Sequence, residues 1–484
     1  MQLRALARIL TVACMLLVAA CGSFPVNPPL ATVDPTSGHR FDLLPGDGRD
    51  ELFVIVVFSG GGTRAAALSY GVLEALRDTK IEWHGETISL LDEVDVISAI
   101  SGGSFPAAYY ALRGAKIFDE FPERFLYRPV QSDLVKQLLS PGNWLKLAGR
   151  SYGRSDLAAE FYDREVFGSA TYADVIRQRR RPFVILNATD MTTGAQFPFI
   201  QDQFDLLCAD LAGVTLGRAA AASSAFPGGL TPLTFQNHAG KCNYRQPPWV
   251  DRAVKDHRSR DNAQRTARAE RRLSYADGGP ATRGYIHLID GGVADNIGLR
   301  EPLAAMTGTN NSWSVMRLIN LNQVKKLVVI VVNAATNPAT HRDQTPNVPG
   351  LFSTLLAAAD VPLDNYSFDT LEALRAIVKE FNNEGGNIAG CKALAASRGQ
   401  QCALDIPAPP QIEFFPIEVA FEYIGSDEDR RWFKSIPTAF ELPRETVDKL
   451  RAIGRELLGE DLKFKDLMKT LHGCLPSVGQ GCGP

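Results

Sequence analysis

Three short motifs contain the residues of this chain that could carry out chemistry. Ser101 lies in the sequence A-I-S-G-G, which is close to the G-x-S-x-G pattern that presents a nucleophilic serine on a sharp turn. Residues 60–64 read G-G-G-T-R, and Asp290 begins the sequence D-G-G. A hydroxyl nucleophile, backbone N–H groups for a developing oxyanion and a carboxylate are the components that acyl transfer requires.

Each motif follows a run of residues with the pattern of a strand. Residues 52–58 and 94–100 are mostly apolar and contain many β-branched side chains, as is typical of strands covered on both faces, and residues 285–289 are interpreted as a further strand. In an open α/β sheet the carboxyl ends of the strands meet at the ligand crevice. We therefore expect the three motifs to converge at one edge of a sheet.

The glycine run predicts a site for an anion or an oxyanion. A helical pattern begins at Ala65, so the N–H groups of Gly60, Gly61 and Gly62 are backed by a helix N-terminus. The N–H of Gly102, the residue after the predicted nucleophile, is a further candidate donor.

An alternative interpretation of the glycine run is a dinucleotide-binding fingerprint, because Gly60, Gly62 and Ala65 fit the pattern G-x-G-x-x-A. That motif requires an acidic residue about 20 positions later, at the end of a second strand. Glu82 has roughly this spacing, but residues 79–81 do not have the pattern of a strand. We therefore prefer the anion site.

Three other residues compete with Asp290 or extend the constellation. Asp277 begins a second D-G-G, but it follows a polar segment and not an apolar strand, so Asp290 is preferred. His287 is close to Asp290 in the sequence, although strand alternation places the two side chains on opposite faces. His341 follows the predicted strand 326–332 and gives the order Ser…Asp…His of α/β-hydrolases, so a triad with His341 stays open as an alternative.

Alternating strand and helix patterns predict a three-layer α/β/α fold with a largely parallel central sheet. Two strands are predicted within 181–200, and single strands over 326–332 and 412–424. We assign one domain to residues 51–424 and a helical extension to residues 425–484.

Residues 241–284 interrupt this pattern as a polar insertion in the domain. Between Asp251 and Arg272 there are seven arginines, one lysine and four acidic residues, with very few apolar residues. We expect a solvated insertion. A patch that contacts anionic lipid is the alternative.

The composition is that of an ordinary globular protein. The chain has 484 residues, 45% hydrophobic and 22% charged, which is enough for one large core or for two domains. Its net charge of −3 predicts no nucleic-acid partner.

Residues 1–20 have the pattern of a secretory signal peptide, with an apolar run too short to span a bilayer. The sequence V-A-A-C that ends at Cys21 resembles a bacterial lipobox. We therefore expect cleavage before Cys21, lipidation of its thiol and export of the protein as a lipoprotein. Gly22, in place of an aspartate, favours the outer membrane. A plain secretory signal with a coincidental cysteine is the alternative.

The predicted anchor is followed by a segment without apolar periodicity. Residues 21–50 contain many prolines and glycines and are interpreted as a flexible tether. A segment of this length has a root-mean-square span of roughly 30 Å.

Six cysteines remain when the signal peptide and Cys21 are set aside. They are Cys208, Cys242, Cys391, Cys402, Cys474 and Cys482. An even number in an exported chain indicates disulfides, and we predict pairing between sequential neighbours. No C-x-x-C pair or Cys/His cluster has the spacing of zinc ligands, and we expect neither a metal nor a cofactor.

The three motifs together resemble those of the patatin-like phospholipase family, which is related to the catalytic domain of cytosolic phospholipase A2. The family's G-G-G-x-R/K matches residues 60–64, its D-G-G/A matches residues 290–292, and its G-x-S-x-G matches residues 99–103 except for the first glycine, which is Ala99. The motifs occur in family order. The resemblance extends over about residues 52–305 and includes the block A-S-S-A-F-P at 222–227.

The resemblance implies a lipid acyl hydrolase that uses a Ser–Asp dyad without histidine. Ser101 would be the nucleophile, Asp290 the base, and the glycine run with Gly102 the oxyanion hole. Arg64 would either complement a phosphate or brace the loop. The implied substrate is a phospholipid or another acyl-ester lipid, reached from a membrane through the N-terminal lipid anchor.

Two rival functions stay open at this point. The first is an α/β-hydrolase esterase in which His341 completes a triad. The second is a catalytically silent lipoprotein that binds lipid or a partner protein, because Ala99 departs from the family pattern.

Overall fold

The computed structural model describes residues 24–45, 51–255, 262–275, 283–300, 302, 323–336, 372–401 without 377, 381 and 384, and 411–475. Cys21, Asp277 and His341 lie outside these residues, as does the predicted signal peptide. The predictions made for them are therefore not addressed by the fold.

Ten strands are described, eight of them in one sheet. The strands are β1 Leu52–Phe58, β2 Lys80–Trp83, β3 Glu86–Ser89, β4 Val94–Ile100, β5 Phe183–Asp190, β6 Gln196–Pro198, β7 Leu233–Gln236, β8 Tyr285–Asp290, β9 Lys326–Asn333 and β10 Glu413–Ala420. The large sheet has the order β10-β9-β1-β4-β5-β8-β7, with β6 paired to β5. Strands β10, β9, β1, β4 and β5 are parallel, and β6, β7 and β8 add antiparallel pairs at one edge.

Helices cover both faces of the sheet. They are α1 Gly62–Asp78, α2 Ser104–Arg113, α3 Ile117–Phe121, α4 Val130–Leu139, α5 Pro141–Leu147, α6 Arg154–Tyr162, α7 Tyr172–Gln178, α8 Gln201–Leu206, α9 Leu216–Ser223, α10 Pro248–Lys255, α11 Asn262–Leu273, α12 Asp427–Ser435, α13 Arg444–Glu460 and α14 Leu462–Thr470. Residues 372–376 and 385–397 are also helical.

Two separate apolar cores confirm the predicted three-layer α/β/α fold. Successive residues of β1 alternate between them, with Val54 and Val56 in one core and Ile55 and Val57 in the other. A strand whose two faces are both buried reads as a continuous apolar run. The sequence 52–58 therefore has no polar alternation.

The short strand β2 differs from the expectation that residues 79–81 form no strand. It pairs with β3 in a separate two-stranded hairpin, and Lys80 also forms an isolated antiparallel bridge with Cys474. A nucleotide-binding unit needs its second strand in the main parallel sheet, so β2 does not supply one.

The described part of the predicted tether, residues 24–45, is packed against the domain. The side chain of Asn27 exchanges two hydrogen bonds with the backbone of Gln236. Arg40 is buried between Asp202 and Asp205, at 2.6 Å from each carboxylate. Polar side chains hold this segment, so it lacks the apolar periodicity by which a packed segment is recognised in a sequence.

The predicted C-terminal extension and polar insertion are both packed against the body. Helix α13 lies directly on α1, and its residues Val447 and Leu450 are fully buried. The insertion contains α10 and α11, which pack on each other through a small apolar cluster.

Sequential pairing of cysteines is confirmed for Cys208–Cys242. Cys391 and Cys474 each take part in a disulfide as well, and not with each other.

Candidate active site

Ser101 lies on a strained turn between β4 and α2. Its φ of 49° is in the left-handed region, which side chains other than glycine rarely adopt. The next residue must be glycine, because a Cβ on Gly102 would lie 2.0 Å from the carbonyl oxygen of Gly62. Ala99, which replaces the first glycine of the pattern, is still within β4, and its methyl group is fully buried in the core. The elbow therefore forms without that glycine.

The hydroxyl of Ser101 donates a hydrogen bond of 2.8 Å to Oδ2 of Asp290. Both residues are buried, with 7% of Ser101 and 4% of Asp290 exposed. The other carboxylate oxygen, Oδ1, accepts the N–H of Gly292 at 2.8 Å. The carboxylate is therefore fixed with one oxygen toward the serine, as direct proton transfer from Oγ to Oδ2 requires.

The backbone of Asp290 is also fixed. Its N–H donates to the carbonyl of Ala225 at 3.0 Å, and its carbonyl accepts the hydroxyl of Thr189 at 2.8 Å. A few residues later, the carboxylate of Asp295 accepts the N–H groups of Ile297 and Arg300. Burial raises the pKa of Asp295 above its usual range. These contacts hold the turn that follows β8 against the sheet.

The glycine run lies against the elbow and opens α1. A Cβ on Gly60 would lie 3.3 Å from Cβ of Ser101. The N–H of Gly60 donates to the carbonyl of Asn296 at 3.1 Å, so it is not available to an oxyanion, contrary to the sequence prediction. The N–H groups of Gly61 and Gly62 make no hydrogen bond within the described chain. The candidate oxyanion donors of this loop are therefore Gly61 and Gly62, beside Gly102 on the elbow.

Arg64 braces the loop and does not face an open site. It is 3% exposed, and its guanidinium donates to the carbonyls of Ala334 and Ile436 at 2.9 and 2.6 Å. A third nitrogen donates to the hydroxyl of Thr438 at 3.1 Å. Of the two roles left open by the sequence, the geometry favours the structural one.

Two polar residues of the site were missed by the sequence analysis. Ser223 Oγ accepts the backbone N–H of Ser101 at 2.9 Å and donates to the carbonyl of Asn187 at 2.6 Å. Oδ1 of Asn296 lies 2.8 Å from the position that a Cβ on Gly60 would occupy. Ser223 is part of the block at 222–227, but no local pattern indicates that its hydroxyl supports the elbow.

His287 does not join the hydrogen-bonded pair of Ser101 and Asp290. The residue is exposed, and its Nδ1 lies 3.1 Å from the hydroxyl of Thr234, whereas Asp290 is buried. Within the described ranges, no three His, Cys, Asp or Glu side chains converge as metal ligands would.

Comparison with known proteins gives one family match and several remote structural similarities. The family model "Patatin-like phospholipase" matches residues 56–303. No curated protein matches the chain significantly.

Three solved structures are similar to this chain at low identity. VipD from Legionella pneumophila is 10% identical, with 92% of this chain and 71% of that chain covered and a TM-score of 0.28. Human GIVD cytosolic phospholipase A2 is 12% identical, with 65% and 49% covered and a TM-score of 0.28. Its complex with methyl gamma-linolenyl fluorophosphonate is 13% identical, with 88% and 60% covered and a TM-score of 0.33. The chain thus spans about half of the human protein in the first comparison and three fifths in the second.

Proposed function

Because the chain belongs to the patatin-like phospholipase family, we propose that it hydrolyses acyl esters of phospholipids or related lipids through a Ser101–Asp290 dyad. The observation that carries this proposal is the buried hydrogen bond of 2.8 Å between Ser101 Oγ and Asp290 Oδ2. It joins residues that are 189 positions apart in the sequence. A nucleophile in contact with a fixed base is the arrangement that covalent acyl transfer needs.

The first half of the reaction forms an acyl-serine. Ser101 Oγ attacks the acyl carbon while its proton passes to Asp290 Oδ2, and the carbonyl electrons move onto the oxygen. The N–H groups of Gly61, Gly62 and Gly102 stabilise that oxyanion. When the intermediate collapses, the ester C–O bond breaks and the leaving alcohol takes the proton from Asp290.

The second half releases the fatty acid. Water attacks the acyl-serine and gives a proton to Asp290, and the oxyanion forms again on the same donors. Collapse breaks the bond between the acyl carbon and Ser101 Oγ, which recovers its proton from Asp290. Serine and carboxylate return to their starting states, so the residues of the chain suffice for turnover.

We further propose that the protein is an exported lipoprotein with Cys21 as its lipid attachment site, in the outer membrane. The lipobox-like sequence before Cys21 supports this proposal. A multiply acylated cysteine holds a protein on a bilayer firmly, whereas a single chain holds it only marginally.

The dyad is tested by measuring kcat/KM on a short-chain ester for Ser101→Ala and Asp290→Asn. Both variants should lose activity by at least about 1,000-fold, because one lacks the nucleophile and the other cannot accept its proton. Labelling by a fluorophosphonate probe should disappear in Ser101→Ala. Thermal melts of each variant check that the fold is intact.

Asp277→Asn and His341→Ala are the matched controls. Asp277 begins the second D-G-G of the chain, so its variant shows whether activity depends on Asp290 itself or on any aspartate in this motif. Both control variants should keep the wild-type rate. A loss of activity in His341→Ala with a normal melt would contradict the dyad and favour a triad with His341. A wild-type protein that neither reacts with the probe nor releases fatty acid would favour the silent lipoprotein.

A further inference from the structure

A helical hairpin, formed by α4, α5 and the residues that connect and follow them, carries apolar side chains outside both cores. No residue between 131 and 151 is buried. Among the described residues there are eleven exposed large apolar side chains, and four of them lie between positions 135 and 145. They are Val135, Leu139, Trp144 and Leu145, with exposures of 48%, 64%, 57% and 41%. An exposed apolar cluster of this density marks a surface that another phase or molecule covers.

The hairpin is held in shape by its own hydrogen bonds, so the exposure is built in. The indole N–H of Trp144 donates to the carbonyl of Leu138 at 3.0 Å. The side chain of Asn143 donates to the carbonyl of Gln137 at 2.8 Å. The indole has therefore satisfied its polar atom within the hairpin and presents an apolar ring to the outside.

The base of the hairpin is hydrogen-bonded beside the glycine run at residues 60–62. Gln131, in the first turn of α4, exchanges two backbone and side-chain hydrogen bonds with Phe440, at 3.2 and 3.3 Å. The carbonyl of the preceding residue, Ala439, accepts the N–H of Thr63 at 2.8 Å. The same carbonyl leaves no space for a Cβ on Gly62. A surface that covers the hairpin would therefore lie next to the predicted catalytic edge.

The charge of the hairpin favours an anionic occupant. Residues 130–154 contain one acid, Asp133, and four bases, whereas the whole chain has a net charge of −3. Lys136 pairs with Asp133 at 3.2 Å and Lys146 with Glu160 of α6 at 2.8 Å. Arg150 and Arg154 make no ion pair with a carboxylate among the described residues, so they carry the positive charge that stays unpaired. A tryptophan flanked by basic residues is typical of segments that lie at a membrane interface.

The N-terminal end of the described chain leads to the same edge of the sheet. Phe24 packs edge-on against Tyr285, with ring centroids 6.1 Å apart. Tyr285 begins β8, which runs antiparallel to β5 and pairs Leu288 with Asp190, the last residue of β5. Tyr285 therefore lies beyond the carboxyl end of β5, on the side of the sheet where Ser101 is presented.

We propose that the hairpin docks on an anionic lipid surface and brings the Ser101 edge to it. The proposal rests on the proposed function, because an esterase for membrane lipid must meet its substrate at a bilayer. No described helix is long and apolar enough to cross a membrane. The surface assigned here is a face that lies on lipid.

Vesicle binding tests the proposal separately from hydrolysis. The full chain with Cys21→Ala and Ser101→Ala lacks both the proposed anchor and the nucleophile, so binding is measured on intact lipid. In this background, Leu139→Ser with Trp144→Ser should weaken binding to phosphatidylglycerol-containing phosphatidylcholine vesicles by at least about tenfold, since two apolar side chains that the bilayer would bury are lost. The control Leu462→Ser changes a side chain that is 75% exposed on α14 and should bind as the background does.

Fluorescence and sedimentation give the other outcomes. Vesicles should shift the tryptophan emission to shorter wavelength, and Trp144→Phe should remove that shift. Equal binding by the hairpin variant and its control, or equal binding to vesicles without phosphatidylglycerol, would overturn the assignment. So would a dimer in solution that the hairpin variant dissociates, because the covering partner would then be a second copy. If the protein that retains Ser101 binds vesicles but hydrolyses no lipid, the proposed function is rejected and the docking surface is still supported.

Discussion

Asp290 uses its two carboxylate oxygens for different partners, and this division fixes the geometry of the hydrogen-bonded pair that it forms with Ser101. Oδ1 accepts the N–H of Gly292, while Oδ2 accepts the hydroxyl of Ser101. Rotation of the carboxylate would break the first bond as well as the second. The serine itself is fixed through its backbone by Ser223. Positioning of both groups to a fraction of an ångström is what direct proton transfer between them requires.

A buried histidine away from the site sets a pH limit on stability. His39 stacks on Phe183 at 4.4 Å, and its Nε2–H donates to the carbonyl of Val184 at 2.8 Å. Burial lowers its pKa to about 4, against about 6.5 in an unfolded chain. Between these pH values the unfolded state binds the proton and the folded state does not. The free energy of unfolding should therefore fall as pH drops from 6.5 to 4, by up to about 3 kcal/mol from this group.

Urea unfolding at pH 7 and pH 4.5 measures this effect. His39→Gln keeps a donor for the carbonyl of Val184 but does not titrate, so its unfolding free energy should fall less over the same pH interval. Parallel losses in the wild type and in His39→Gln would show that His39 is not responsible.

The residues of the site differ in how far the sequence predicts them. Ser101, Asp290 and the glycine run are recognisable because each motif has a local backbone requirement, such as the glycine at 102. Ser223 and Asn296 are not recognisable in this way. Ser223 meets Ser101 across 122 positions, and that meeting depends on how α9 packs against β5. The same holds for Gly60, whose N–H is taken by a carbonyl of a distant loop.

At the scale of elements, β8 reaches the site by a route that the sequence did not indicate. Convergence was expected from parallel strands, but β8 is antiparallel to β5. Ile100 pairs with Asn187, and Asp290 pairs with Ala188. The ends of β4 and β8 are therefore level on the two sides of β5, although the strands run in opposite directions. Apolar runs reveal that strands are buried but not which way they run.

Helices α1 and α13 approach closely enough to require glycine at their contact. A Cβ on Gly71 would lie 2.2 Å from the carbonyl oxygen of Arg451. Gly71→Ala should destabilise the protein by about 1–3 kcal/mol, because the added methyl group separates the two helices. The expected sign is opposite to that of helix propensity, which favours alanine by about 1 kcal/mol.

The control for this prediction is Gly390→Ala. Gly390 is exposed in the helical segment 385–397, and no atom lies within 4 Å of the position that a Cβ on this residue would occupy. The change should be neutral or stabilising by up to about 1 kcal/mol. Chemical unfolding of both variants checks the contrast, and a Gly71→Ala protein as stable as the wild type would show that α13 is loosely attached.

At the scale of the whole molecule, the packed segment 24–45 changes what an N-terminal anchor would do. A flexible tether over 21–50 would let the domain stand roughly 30 Å from the bilayer. Phe24 is instead packed on the body, and it is three positions after Cys21. Three extended residues span at most about 11 Å. A lipid on Cys21 would thus hold the carboxyl edge of the sheet, with the proposed docking surface, close to the membrane.

Cys21→Ala should therefore release the protein from the membrane fraction and remove the acyl mass from the mature N-terminus. Hydrolysis of a soluble short-chain ester should stay at the wild-type rate, while hydrolysis of vesicle lipid should fall, because the edge that carries Ser101 is no longer held at the bilayer. Cys14→Ala is the matched control, since Cys14 precedes the predicted cleavage site and its loss should change neither fraction nor mass. Membrane fractionation with intact mass spectrometry makes the measurement. A wild-type N-terminus that carries no lipid would refute the anchor.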